Sequence, residues 1–197
     1  FIVRDLALVP EWEKSFPFRK LLHLWLGDKN NTFIHAGAVG KNSGGALLVG
    51  KGGSGKSTAV LSCLGSGLKY AGDDFVLYHP DSQTASSLYN VAKIEPHHIK
   101  NFSNLSPHVK NRNAGNTEKY QVFLNDFLPS ELTKVFPVKA LLLPRYKAGQ
   151  EVKVLPASKA DALKALAPSS IWLLRSPKES LSSMATIVNQ LPCFWLE

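Results

Sequence analysis

The sequence predicts an α/β fold in one domain covering residues 1–197. Short apolar runs alternate with amphipathic stretches and no linker divides them. A glycine-rich turn follows one apolar run and leads into a segment with helical spacing. A chain of 197 residues fits one good hydrophobic core and is tight for two. With 44% hydrophobic and 19% charged residues, the balance is globular rather than disordered.

The elements follow in order. Phe18, Leu21, Leu22 and Trp25 recur at helical spacing behind Pro17, predicting a helix that ends near Gly27 and Asp28. Thr32 to Val39 reads as a strand, Lys41 to Gly44 as a hairpin turn, and Ala46 to Val49 as a short buried strand. A helix from about Lys56 to Leu64 precedes strands at Leu68 to Ala71 and Phe75 to Tyr78. Asn recurs at 101, 104, 111, 113 and 116 among Ser, Pro, His and Lys, predicting a mobile loop over Asn101 to Thr117. Val138 to Leu143 and Val152 to Leu155 read as strands. Ser158 and Ser176 read as N-caps, the second followed by Pro177 and by Glu179 at capping-box spacing. Cys193 to Leu196 closes the chain as a strand.

Composition limits the function classes. The apolar runs are too short to span a bilayer. The chain opens on Phe1 rather than Met, so a trimmed or internal N-terminus is expected. Two cysteines, Cys63 and Cys193, are too few for a disulfide scaffold; as small core residues they fit a reducing, cytoplasmic setting. The net charge of +8 suits a phosphate-bearing or acidic partner. No basic stretch interleaved with aromatics appears, which argues against nucleic acid.

The strongest signal is Gly50-Lys51-Gly52-Gly53-Ser54-Gly55-Lys56-Ser57, followed by Thr58. It fills the Walker A pattern of a phosphate loop. Glycines let successive backbone N–H groups turn toward one phosphate, and the following helix adds the positive end of its dipole. Lys56 then reaches the β- and γ-phosphates, and the Ser57 hydroxyl suits Mg²⁺. Gly50, Gly52, Gly53, Ser54, Gly55, Lys56, Ser57 and Thr58 are therefore the expected nucleotide-binding set. Asp73 and Asp74 lie between apolar strands, where adjacent carboxylates are costly unless a cation compensates them. Neighbours on a strand face opposite ways. One can then serve the metal while the other takes a proton from an attacking hydroxyl. His35, on a strand, reads on its own as structural. His97, His98 and His108 lack partners at metal-ligand spacing and read as surface.

Together these residues resemble a known family. His35, Gly50 fifteen residues on, the phosphate loop, and Asp73 seventeen residues beyond Lys56 are similar to the kinase domain of HPr kinase/phosphorylase. Gly72-Asp73-Asp74 also resembles the second metal motif of phosphoenolpyruvate carboxykinase, which shares that core. The opening Pro17 to His23 and the ending Asn189 to Glu197 look like a branch of small HPr-kinase-like proteins. Some of these accompany lasso-peptide and other peptide-tailoring clusters and phosphorylate a precursor serine.

The resemblance implies a mixed β-sheet around the phosphate loop and an ATP- and Mg²⁺-dependent kinase acting on a serine of a protein or peptide. It implies Asp73 as acid/base, with His35 set close to that aspartate and Asp74 near the metal. Lys56 and Ser57 match the phosphate and Mg²⁺ ligands. A homo-oligomer is compatible with it. Thr58 stands where bifunctional members carry Glu, and their second signature region has no counterpart, which puts phosphorolysis and HPr itself in doubt. A small-molecule kinase and a nucleotide-binding switch or scaffold with little turnover are the alternatives.

Overall fold

The computed structural model describes residues 4–26, 31–112, 118–170 and 177–197. The predicted helix end near Gly27 and the Ser176 cap lie outside them. Near the N-terminus come α1 (Glu11–Lys14) and α2 (Arg19–Leu26). Then follow β1 (Thr32–Ile34), β2 (Gly37–Lys41), β3 (Gly44–Leu48), α3 (Lys56–Ser62), β4 (Lys69–Gly72), β5 (Val76–His79) and β6 (Thr84–Ser87). A ribbon of β7 (Val91–Ile94) and β8 (Tyr120–Phe123) is next. The chain ends with β9 (Val135–Pro144), β10 (Val154–Pro156), α4 (Lys159–Ser170), α5 (Pro177–Gln190) and β11 (Cys193–Leu196).

The main sheet runs β1-β5-β6-β9-β3-β2-β4, with β11 and then β10 joined beyond β9. It is mixed and mostly antiparallel, as expected of a mixed sheet. The ten-residue β9 makes it so. Its first residues pair antiparallel with β6, and its later ones pair parallel with both β3 and β11. The parallel strands β3, β9 and β11 therefore end on the same side of the sheet, the edge where α/β proteins place their ligands.

Period-two alternation sends neighbouring residues to opposite faces. Leu47, Ala38, Ala71, Leu141 and Leu143 join Leu166, Met184 and Ile187 of α4 and α5 in one core. Leu48, Val39 and Tyr70 join Val60 and Leu61 of α3, together with Ala92, Ile94 and Val122 of the ribbon, in a second. Ser158 caps α4 as expected: its hydroxyl accepts from the Asp161 backbone N–H at 3.1 Å and donates to the Asp161 carboxylate at 2.7 Å.

Two expectations are corrected. The strand predicted over Thr32 to Val39 is broken at His35 and Ala36, where the chain leaves β5 and joins β3. The Ala36 N–H donates instead to the Asp74 carbonyl at 3.1 Å. The segment from Asn101, expected as a mobile loop, is folded as far as it is described. Leu105 is fully buried and Phe102 nearly so, both in the second core. The buried Asn111 amide donates to the Lys119 carbonyl at 2.9 Å, and its oxygen accepts from the Gln121 N–H at 2.8 Å. Apolar residues at wide spacing between polar ones hid this role.

Truncating Leu105→Ala should cost ~3 kcal/mol. Urea denaturation showing a change below ~0.5 kcal/mol would mean that this segment is not part of the core.

Candidate active site at the sheet edge

Four chain segments meet where β3 ends. The Gly50–Ser57 turn leaves β3, His35 precedes β2, the Asp73–Asp74 turn follows β4, and Lys93 lies on β7. Within the glycine turn, Gly53 and Gly55 have φ of 76° and 98°, the left-handed region that side chains disfavour. Gly55 opens directly into α3.

Lys56 is 6% exposed. Its ammonium folds back over the turn, donating to the Gly50 carbonyl at 2.7 Å and the Lys51 carbonyl at 3.2 Å. Burial lowers its pKa, and the charge of Asp74 opposes that shift. The two carbonyls partly compensate the burial of this ammonium.

The two aspartates diverge, but from a turn rather than from the strand the sequence suggested. Asp73 is 2% exposed. Its Oδ2 accepts the Lys93 backbone N–H at 3.0 Å, and its Oδ1 has no partner. Burial first, and the neighbouring Asp74 charge second, raise its pKa from 3.8 to about 7. Asp74 accepts from His35 Nε2 at 2.7 Å on Oδ1 and meets Lys93 Nζ at 3.4 Å on Oδ2. Burial pushes its pKa up, but the His35 hydrogen bond and the charges of His35, Lys93 and Lys119 outweigh it and leave the pKa lowered. His35 thus sits on Asp74 rather than beside Asp73, and its Nδ1 is buried without a partner.

A cavity of about 170 Å³ opens over this cluster. Gly52, Gly53, Gly55, Lys56, Ser57 and Thr58 of the glycine turn and helix start line it, together with His35, Asp74 and Lys93. Gly50, Ser54 and Asp73 are not on its wall, Asp73 being buried. Its remaining lining is Leu61, Ile94, Phe102, His98, and the ion pair of Lys119 with Glu95 at 3.2 Å. His98 is therefore a cavity residue, not the surface residue expected; His108 stacks on Phe127 at 3.7 Å.

Sequence reasoning missed Lys93, Glu95 and Lys119. Lys93 had left a signal, a single lysine in the otherwise apolar Val91-Ala92-Lys93-Ile94. Among the described residues no group of three or more His, Cys, Asp or Glu side chains forms a metal cage. Two of the cavity-lining side chains, the Ser57 hydroxyl and the Asp74 carboxylate, offer hard oxygens. They suit a Mg²⁺ that takes its other ligands from phosphates and water. Among the described residues no helix is long and apolar enough to cross a membrane.

No family model matches the sequence, and no curated protein matches it. Among solved structures the chain is similar to the Hpr(Ser) kinase/phosphatase from Coxiella burnetii. The identity is 15%, over 64% of this chain and 77% of that one, with a TM-score of 0.39. The functional reading is carried by the residues of this chain.

The raised pKa of Asp73 has a stability consequence. The folded protein holds this proton more tightly than the unfolded chain, so Asp73 stabilises the fold below about pH 4 relative to higher pH. Stability is lost as pH rises through about 7, where the buried carboxyl ionises. In the ligand-free protein Asp73→Asn should therefore be more stable than wild type at pH 8, by ~2 kcal/mol. The gap should close toward pH 4. Denaturation curves with the same gap at both pH values would contradict this placement of the charge.

Proposed function

We propose that the protein is a nucleotide-dependent kinase that transfers the γ-phosphoryl group of Mg-ATP to a serine hydroxyl of a protein or peptide. The observation that carries this reading is the buried Lys56 ammonium, held on the carbonyls of a glycine turn and facing the same cavity as Asp74. Lysine is rarely buried without a partner charge, and here a buried one shares a cavity wall with a carboxylate.

In this reading, the backbone N–H groups of Gly52 to Ser57 and the Lys56 ammonium hold the β- and γ-phosphates. Ser57 and Asp74 would hold Mg²⁺, which neutralises the phosphate charge when bound. His35 keeps Asp74 aimed through the 2.7 Å hydrogen bond. Asp73 accepts the serine proton, for which a pKa of about 7 is well matched. The serine oxygen forms a bond to the γ-phosphorus while the bond from that phosphorus to the bridging oxygen breaks, and ADP leaves with the electron pair. Since Asp73 is buried off the cavity wall, the scheme requires the Asp73–Asp74 turn to shift and bring Oδ1 to the cavity. Catalytic hydrogen bonds commonly tighten only once substrate is in place.

Lys56→Ala should weaken Mg-ATP binding at least ~30-fold by calorimetry with little change in thermal stability. Asp73→Asn should retain binding within ~3-fold and lose phosphoryl transfer by ~10³-fold, assayed against serine-containing peptides. Equal ATP affinity in wild type and Lys56→Ala would exclude the nucleotide reading. Full transfer activity in Asp73→Asn would move the proton acceptor elsewhere.

A further inference from the structure

Lys93 has no role in the scheme above, yet it touches both aspartates. Its backbone N–H serves Asp73 Oδ2 at 3.0 Å, and its ammonium stands 3.4 Å from Asp74 Oδ2. The ammonium also lies 3.9 Å over the Phe16 ring, so the N-terminal segment buttresses it from behind. The side chain is 14% exposed and lines the cavity. In the ligand-free protein its resting place is therefore against Asp74 rather than out in solvent.

The consequence concerns Asp74. Its Oδ1 is taken by His35 and its Oδ2 by Lys93, so both oxygens of this cavity-lining carboxylate are engaged before any ligand arrives, and Glu95, the other carboxylate on the wall, is paired with Lys119 at 3.2 Å. A divalent cation entering alone would have to displace the ammonium or share an oxygen with it at close range. In a half-buried site the like-charge repulsion is far stronger than in water. Phosphates change the balance: they bring negative charge that can accept the released ammonium and supply oxygen ligands to the metal.

We propose that Lys93 is a placeholder cation, which holds Asp74 in place of the metal and so restricts metal entry to the nucleotide-bound form. The role rests on the kinase reading for its biological sense, but the ion competition can be measured without nucleotide. Lys93 acts through Asp74 and is in that respect a positioning residue.

The test measures Mn²⁺ binding to the full chain without nucleotide, by loss of the free-ion electron paramagnetic resonance signal. Wild type should bind Mn²⁺ weakly. Lys93→Met, which keeps the side-chain length over Phe16 without the charge, should bind it ~10-fold tighter. Lys93→Arg should stay near wild type, and adding Asp74→Asn to Lys93→Met should abolish the gain. Should Lys93→Met fail to fold, Lys93→Gln removes the same charge and carries the same expectation. Unchanged or weaker Mn²⁺ binding in the folded neutral variant, or a gain that survives Asp74→Asn, overturns the proposal. Calorimetry of wild type with Mg-ADP is read separately: no binding there would defeat the kinase reading and leave the Mn²⁺ comparison standing.

Discussion

Burial of two adjacent carboxylates is the constraint around which the site is arranged. Side by side in a poorly solvated turn, Asp73 and Asp74 cannot both ionise without compensation. The fold resolves this by unequal treatment. Asp74 receives the His35 ring and the Lys93 ammonium. Asp73 receives one backbone N–H and is left with an unpartnered oxygen. The outcome is a pair with pKa values driven apart, one carboxyl held ionised and the other poised near neutrality. Such a divergence beside a cavity is the pattern on which the proposed acid–base role rests.

The sheet is what makes the convergence possible. The parallel run of β3, β9 and β11 directs the ends of three strands to one edge. The antiparallel pairing of β2 with β4 brings the start of one and the end of the other to it as well. A register irregularity in that pairing falls between Ala38 and Val39, beginning three residues after His35. The Ala36 N–H to Asp74 carbonyl bond ties the two turns directly. Tyr70 secures the other side: its buried hydroxyl donates to the Val91 carbonyl at 2.9 Å, fixing β4 to the strand that carries Lys93.

Much of this was legible in the residues, and the limits have physical causes. The glycine turn and its lysine were readable because backbone geometry and phosphate chemistry restrict the residue types there. The short strands from Ala46 to Tyr78 were readable because strands buried on both faces leave continuous apolar runs. The long-range partners were not. Nothing near Lys93 in the chain says that Asp73 and Asp74, some twenty positions earlier, will lie against it; only pairing of the ribbon with the second core brings them together. His35 was placed beside Asp73 by resemblance and lies on Asp74, a difference set by which way the turn releases each side chain. The Asn-rich segment misled because its composition is polar while its few apolar residues, Phe102 and Leu105, carry the packing.

The most direct test is a crystal structure of the full chain with Mg²⁺ and a non-hydrolysable ATP analogue. The account requires the β- and γ-phosphates to lie on the backbone N–H groups of Gly52 to Ser57. The Lys56 ammonium should leave the Gly50 carbonyl for a phosphate oxygen, and Asp74 should lie toward the metal. An analogue bound elsewhere on the protein, with the Lys56 ammonium still on Gly50, would contradict it.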